Sequence, residues 1–147
     1  MFDTAISRAP ETLKAFKISE ADTNYFACLA DPLEDGVPFT IVVEIYQPGG
    51  ATPPNTHQKA IEFFYILAGE GIGHCGGVSV DLKPGSTLML PPGNEHIVEN
   101  TGAGKLYALC VMVPNEDFAE MIRGGIPVDL TPDDIAILKG APGMIDA

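Results

Sequence analysis

Two stretches decide how this chain folds: GGATPPNTHQKAIEFFYILAG at residues 49–69 and GSTLMLPPGNEHIVEN at residues 85–100. Each opens on glycine, carries a proline pair, and runs into residues with the two-residue period of a β-strand. Between them they hold two of the three histidines, His57 and His96, together with Asn55 and Glu62. Imidazole and carboxylate groups are common ligands of redox and Lewis-acid metals. On extended backbone, Asn55 and His57 share one face, Glu62, Phe64 and Ile66 another, and His96, Val98 and Asn100 a third. If the three faces line one cavity, Phe64, Ile66 and Val98 are its apolar walls, which is the usual make-up of a small-molecule site.

The flanking sequence extends the β pattern. Phe39, Ile41, Val43 and Ile45 alternate with Thr40, Val42, Glu44 and Tyr46, and Val78, Val80 and Leu82 alternate with Ser79 and Asp81. Leu106 to Val113 is a nearly continuous apolar run, as expected of a strand covered on both faces. Turn signals punctuate these runs at Pro48-Gly49-Gly50, Gly69-Glu70-Gly71, Gly76-Gly77, Pro84-Gly85, Pro91-Pro92-Gly93 and Gly102-Ala103-Gly104. Gly73 also reads as part of a strand connection. Short strands so spaced predict an all-β antiparallel sandwich or barrel. Beyond residue 113 two short helices are expected. Asn115 caps the first, with Glu116 and Asp117 in its opening turn, Phe118, Met121 and Ile122 as its apolar stripe and Gly124-Gly125 as its stop. Thr131-Pro132 starts the second, which carries Ile135, Ile137 and Leu138 and ends at Gly140. They are expected to cover a barrel end or a subunit contact.

At 147 residues, 46% apolar and 19% charged, the chain has the make-up of one globular domain spanning residues 1–147. A net charge of −12, with Arg8 and Arg123 as its arginines, excludes the clustered basic surface that nucleic acid requires. No apolar run approaches the ~20 residues of a membrane span. The N-terminus lacks a basic start and apolar core of a signal peptide, and Cys28, Cys75 and Cys110 share no paired spacing. A cytoplasmic protein with reduced thiols is therefore expected. Cys75 beside His74 is the best candidate for a reactive thiol. Ile61, Phe63, Tyr65 and Leu67, on the face opposite Glu62, are also apolar, which predicts a homodimer covering that side.

The spacing in full is Gly49, five residues, Asn55-Thr56-His57, four residues, Glu62, six residues, Gly69, and then Gly85, five residues, Pro91-Pro92-Gly93, two residues, His96, three residues, Asn100. The two stretches resemble the paired motifs of the cupin superfamily, in its small single-domain form, over about residues 36–113. The second motif matches throughout. The first departs at Asn55, where the family carries a histidine. The resemblance implies a double-stranded β-helix (jelly-roll) barrel with residues 114–147 as a helical extension, often dimeric. It implies one divalent transition metal in the barrel mouth, held by His57, Glu62 and His96, with Asn55 a weak or water-mediated fourth ligand.

Two histidines and a carboxylate are the ligand set of non-haem Fe(II) oxygenases. The favoured reading is therefore an Fe(II)-type dioxygenase acting on a small organic molecule, with Mn, Ni, Zn or Cu as alternative metals. A metal-assisted isomerase or lyase, or a non-catalytic small-ligand-binding cupin, are the alternatives. Four further residues have two readings each. His74 is either a substrate-pocket group or a half-exposed strand histidine. Lys59 is either an anchor for an anion or a solvated loop residue. Tyr65 and Tyr107 pack in the core or at an interface.

Overall fold

The computed structural model describes residues 2–53 and 55–140, so the last seven residues of the extension expected over 114–147 lie outside the described residues. The strands are β1 (Ala15–Lys17), β2 (Tyr25–Ala30), β3 (Thr40–Tyr46), β4 (Ile61–Ala68) and β5 (Gly71–Cys75), then β6 (Val78–Leu82), β7 (Thr87–Leu90), β8 (His96–Asn100), β9 (Leu106–Val113) and β10 (Ile126–Val128). Helices α1 (Pro32–Asp35), α2 (Phe118–Arg123) and α3 (Pro132–Leu138) complete the fold. A seven-stranded sheet, in the order β10-β1-β2-β3-β9-β4-β7, faces a three-stranded sheet in the order β6-β5-β8. The strand pairs within both sheets are antiparallel.

The space between the sheets holds the main core, built from Phe26, Val42, Phe64, Ile66, Leu82, Leu90, Val98 and Met112 among others. Burying a side chain such as Phe64, 2% exposed, contributes about 1.5–3 kcal/mol. A second cluster covers the outer face of the large sheet. There Tyr25, Ala27, Val43, Ile45 and Tyr107 pack against Leu13, Val128, Leu130, Ile137 and Leu138. The two clusters explain why β3 and β9 read as apolar on both sides.

The C-terminal helices divide the covering work. Phe118 and Ile122 of α2 belong to the interior core, closing one end of the barrel, whereas α3 lies on the outside of the large sheet. A capping box starts α3: Asp134 N–H donates to Thr131 Oγ1, and Thr131 N–H to Asp134 Oδ2. Asp134 is fully buried and also accepts from Tyr25 Oη and Tyr107 Oη at 2.6 Å each and from Lys105 Nζ at 3.1 Å. One carboxylate thus fastens α3 to β2 and β9.

The structure departs from the sequence reading in four places. The first helix of the extension begins at Phe118, and Glu116 and Asp117 precede it with φ of 49° and 63°, outside its first turn. Asn115 still caps it, accepting from Ala119 N–H at 2.9 Å. Gly71 and Gly73 lie within β5, because a Cβ on Gly73 would come 2.7 Å from Leu88 in the crowded interior. Gly69 does turn the chain: its φ is +89°, and a Cβ there would lie 2.4 Å from the Lys105 carbonyl. Helix α1 was not anticipated, although Asp31 caps it through Leu33 and Glu34 N–H, Pro32 opens it and Gly36 ends it at φ 70°. Finally, the segment carrying Asn55 and His57 is a loop with isolated bridges and not a strand.

Burial pushes the Asp134 carboxyl up, but the bonds from Tyr107, Tyr25, the Thr131 amide and Lys105 outweigh it and leave it lowered. A lowered folded-state value means stability that is present above the unfolded pKa of about 3.9 and lost as pH falls below it. Asp134→Ala is expected to cost about 3 kcal/mol in urea unfolding at pH 7. The gap between wild type and variant should narrow below about pH 4; a constant gap down to pH 2.5 would contradict the assignment.

Candidate metal centre

The strand parity expected for β4 is observed: Glu62, Phe64 and Ile66 point inward and are buried. His96 opens β8 in the facing sheet and is also buried. His57 arrives from the β3–β4 loop, which backbone hydrogen bonds pin against β8 and the turn before it. Gly50 O accepts from Asn100 N–H, Thr52 N–H donates to Val98 O, Asn55 and His96 exchange two bonds, and His57 O accepts from Gly93 N–H at 2.7 Å. The last motif residue, Asn100, is structural. Its amide donates to the carbonyls of Tyr46 and Gly104 and accepts from Gly102 N–H, holding the β8–β9 turn against the end of β3.

Glu62 Oε1 lies 2.8 Å from His96 Nε2 and 3.3 Å from His57 Nε2. One ligand atom from each of the three residues falls within 4.8 Å of the others. Yet Glu62 Oε1 is buried with no aligned hydrogen-bond partner. The imidazole nitrogens approach it sideways, so proximity and charge act between them without a formed hydrogen bond. Adjacent ligand atoms on an octahedral divalent cation, each about 2.1 Å from the metal, are about 3 Å apart. A buried oxygen left over in that geometry fits a cation held among the three residues.

The other carboxylate oxygen, Oε2, accepts from the Cys110 thiol at 3.0 Å. Burial alone would raise the Glu62 carboxyl, but His57, His96 and Cys110 outweigh it and bring it down to about 2. Proximity to Glu62 raises His57 against the opposing effect of burial, with Glu116 adding to the rise. Burial first, and then the neighbouring Glu62 charge, push the Cys110 thiol well up, so it stays a proton donor to that oxygen. Glu116 supports the same loop. Its carboxylate accepts from the backbone N–H groups of Gln58, Lys59 and Ala60, at 3.0, 2.6 and 2.9 Å.

The three ligand candidates open into a cavity of about 640 Å³ whose walls include Phe26, Phe64, Met112 and Phe118. Asn55 lines it as well, with its amide nitrogen turned to the Pro53 carbonyl at 3.3 Å. Ile66 and Val98 lie in the interior core and do not reach the cavity surface. His74 is not in the cavity. It projects from the outer face of the small sheet, between Ser79 Oγ at 2.7 Å and Glu99 Oε1 at 3.1 Å. β5 alternates, and its inward positions are taken by Gly71, Gly73 and Cys75. Cys75 therefore faces away from His74 and packs on the core. Lys59 is an exposed loop residue outside the cavity, and Tyr107 packs under α3.

The structure also brings in Glu44 of β3, which is 2% exposed and lines the cavity. Burial and the nearby Glu62 charge raise it to about 8, with Tyr46 and Asn24 acting in the opposite sense. Its signal in the sequence was a lone acid in the run TIVVEIY, an anomaly for a strand covered on both faces.

Residues 42–112 match the family model of the cupin domain. The chain belongs to the cupin superfamily. This cupin is 36% identical to the oxalate-binding protein of Thermotoga maritima over 66 residues, 45% of this chain and 54% of that protein. The crystal structure of a predicted oxalate decarboxylase from Thermotoga maritima superposes with a TM-score of 0.65 at 25% identity, covering 75% of this chain and 99% of that one. A cupin-superfamily sugar phosphate isomerase from Silicibacter pomeroyi shares the fold, with a TM-score of 0.56 at 18% identity over 63% of this chain and 60% of that one. The chain spans about half the length of the curated relatives it matches.

Glu116 holds the His57 loop in this cupin. Replacing it with Ala should raise the hydrogen-exchange rates of the Gln58, Lys59 and Ala60 amides by about tenfold or more, the equivalent of about 1.4 kcal/mol of local stability. Unchanged rates at all three would show that the loop is held by its bonds to β8 alone.

Proposed function

We propose that this cupin binds one divalent transition metal through His57, Glu62 and His96 and uses it, as an Fe(II)-type dioxygenase, on a small organic molecule. The observation that carries the reading is the buried, unbonded Glu62 Oε1 set between two imidazole nitrogens. Fe(II) in a two-histidine, one-carboxylate set supplies dioxygen activation, with positions left open for oxygen and substrate. The protein's own residues prepare the place. Cys110 fixes the second Glu62 oxygen, so that Oε1 keeps its aim. Phe64, Phe118 and Met112 exclude water from the reacting end of the cavity. Asn55, at the rim of the triad, takes the place of a fourth protein ligand and leaves that position to water or substrate.

Glu44 favours a second reading, a metal-assisted isomerase or lyase. Such chemistry needs a proton carrier beside the polarised group, and a buried acid raised to about 8 suits that role near neutral pH. Metal content of untagged protein, measured by mass spectrometry beside His96→Ala, tests the centre. Wild type should carry near-stoichiometric metal. The variant should lose affinity by more than about 100-fold, beyond the 10–100-fold typical of losing an outer hydrogen-bond partner. Oxygen uptake by the iron-loaded protein, across catechols, thiols and keto acids, then separates the readings: none at all would remove the dioxygenase. Saturable binding of a small molecule by protein that never takes up metal would leave a ligand-binding cupin, the role named for the Thermotoga maritima relative.

The cupin is also proposed to work as a homodimer in the cytoplasm, with its thiols reduced. The outer face of β4, β7 and the end of β9 leaves Ile61 at 47%, Tyr65 at 40%, Met89 at 70% and Val113 at 49% exposure, one apolar patch on one side of the large sheet. Sedimentation at micromolar concentration should give a dimer, and Met89→Asp a monomer. A wild-type monomer under those conditions would end this part of the proposal.

A further inference from the structure

The charge of the cavity bears on what enters it. Among the described residues its lining holds five carboxylates, Asp22, Glu44, Glu62, Glu116 and Asp117, and neither lysine nor arginine. The two imidazoles present, His57 and His96, are the ones set against Glu62. Cavities that take carboxylate or phosphate dianions through protein side chains present Arg or Lys to them. Here the rim has the opposite sign, and a net charge of −12 adds a field that repels anions on approach.

A second observation lies deeper in the barrel. Glu44 Oε2, Tyr46 Oη and Asn24 Oδ1 are all buried and all lack an aligned hydrogen-bond partner. Tyr46 follows Glu44 by two positions on the same face of β3, and Asn24 lines a smaller hollow that Glu44 shares with the main cavity. Tyr46 and Asn24 stand close enough to Glu44 to act on its carboxyl, whereas Glu44 alone of the three also lines the main cavity, so its Oε2 is the atom placed to meet a hydrogen-bonding guest. Between this cluster and the rim the walls are Phe26, Phe64, Met112 and Phe118. At about 640 Å³ the cavity is of the size that holds a drug-sized molecule.

We propose that the cavity selects an uncharged or amine-bearing organic molecule with an apolar body, discriminates against dianions such as oxalate, and receives the hydrogen-bonding end of its ligand at Glu44. This rests on the metal-centre reading only in placing the ligand's other end at His57, Glu62 and His96. The selectivity follows from the lining and is read on the metal-free chain, because a bound divalent cation would itself attract and chelate anions. It separates this chain from the oxalate-named relatives that share its fold.

A charge series on one scaffold tests it: dopamine, 4-methylcatechol and 3,4-dihydroxybenzoate, with oxalate as the dianion. Calorimetry uses the full chain both zinc-loaded, so that no turnover occurs, and stripped with chelator; metal stoichiometry is counted separately. On the stripped chain dopamine and 4-methylcatechol should bind at least tenfold more tightly than 3,4-dihydroxybenzoate, with oxalate weakest; the zinc-loaded form shows how far chelation alters that order. Glu44→Leu, which keeps roughly the volume and removes the polar atoms, should weaken dopamine and 4-methylcatechol alike by about fivefold or more. Asp22→Asn with Asp117→Asn, both at the rim, should narrow the gap between cation and anion. If zinc fails to bind, the metal reading falls while the order on the stripped chain still decides the selectivity. On the stripped chain, tighter binding of oxalate or of the benzoate, an order untouched by the paired Asp substitutions, or no binding of any member overturns the proposal.

Discussion

A carboxylate buried between two sheets of apolar residues is the constraint around which this molecule is organised. Taking Glu62 out of water carries a penalty that only close partners can offset. The fold supplies them from three directions. Cys110 comes from the neighbouring strand of the same sheet, His96 from the facing sheet, and His57 from a loop stitched to that facing sheet by its own backbone. Because the partners belong to different layers, the two sheets and the loop have to be in register before the site exists. The same requirement accounts for Asn100 and Gly69, which lie apart from the triad, and for Glu116, whose Oε2 stands 3.9 Å from His57 Nδ1. Each holds a turn or loop whose displacement would move one of the three.

The rest of the architecture follows from covering a sheet that is apolar on both faces. Between the sheets, Phe26, Phe64 and Met112 make the apolar wall of the cavity. On the outside, β10 and α3 cover Tyr25, Ile45 and Tyr107, and Asp134 secures them with bonds to both tyrosines. Toward β4, β7 and the end of β9 the outer face of the large sheet is bare, and Tyr65, Met89 and Val113 stand in solvent.

The barrel was legible in the sequence because it depends on local pattern, and the convergence of His57, Glu62 and His96 was legible through the resemblance of the two motifs to the cupins, not through periodicity, since His57 sits on a loop. Period-two alternation places Glu62 and Phe64 inward, and glycine and proline mark turns that side-chain-free or fixed-φ residues alone accommodate. What could not be read depends on contacts between distant segments. Whether His74 faces in or out turns on the parity of β5, which is set by Gly71 and Gly73 inside the strand; as turn residues, those glycines put the phase out of reach. Glu116 looked like a helix-dipole residue because its position fits one. Its three bonds are to amides nearly sixty residues earlier, and no local signal records them. Glu44 was visible as a charged residue in an apolar strand, but only the closed barrel shows that it shares a cavity with Glu62.

The placement of α2 has a consequence for where the folding unit ends. The paired motifs stop at Asn100, and the strand that joins β3 to β4 stops at Val113, yet Phe118 and Ile122 are part of the interior and Glu116 grips the loop bearing His57. A chain cut after β9 would keep every residue of the motifs and lose the plug of the barrel, one wall of the cavity and the clamp on a ligand candidate. The recognisable signature is therefore smaller than the object that can work, and the helices beyond it belong to the site as much as to the scaffold.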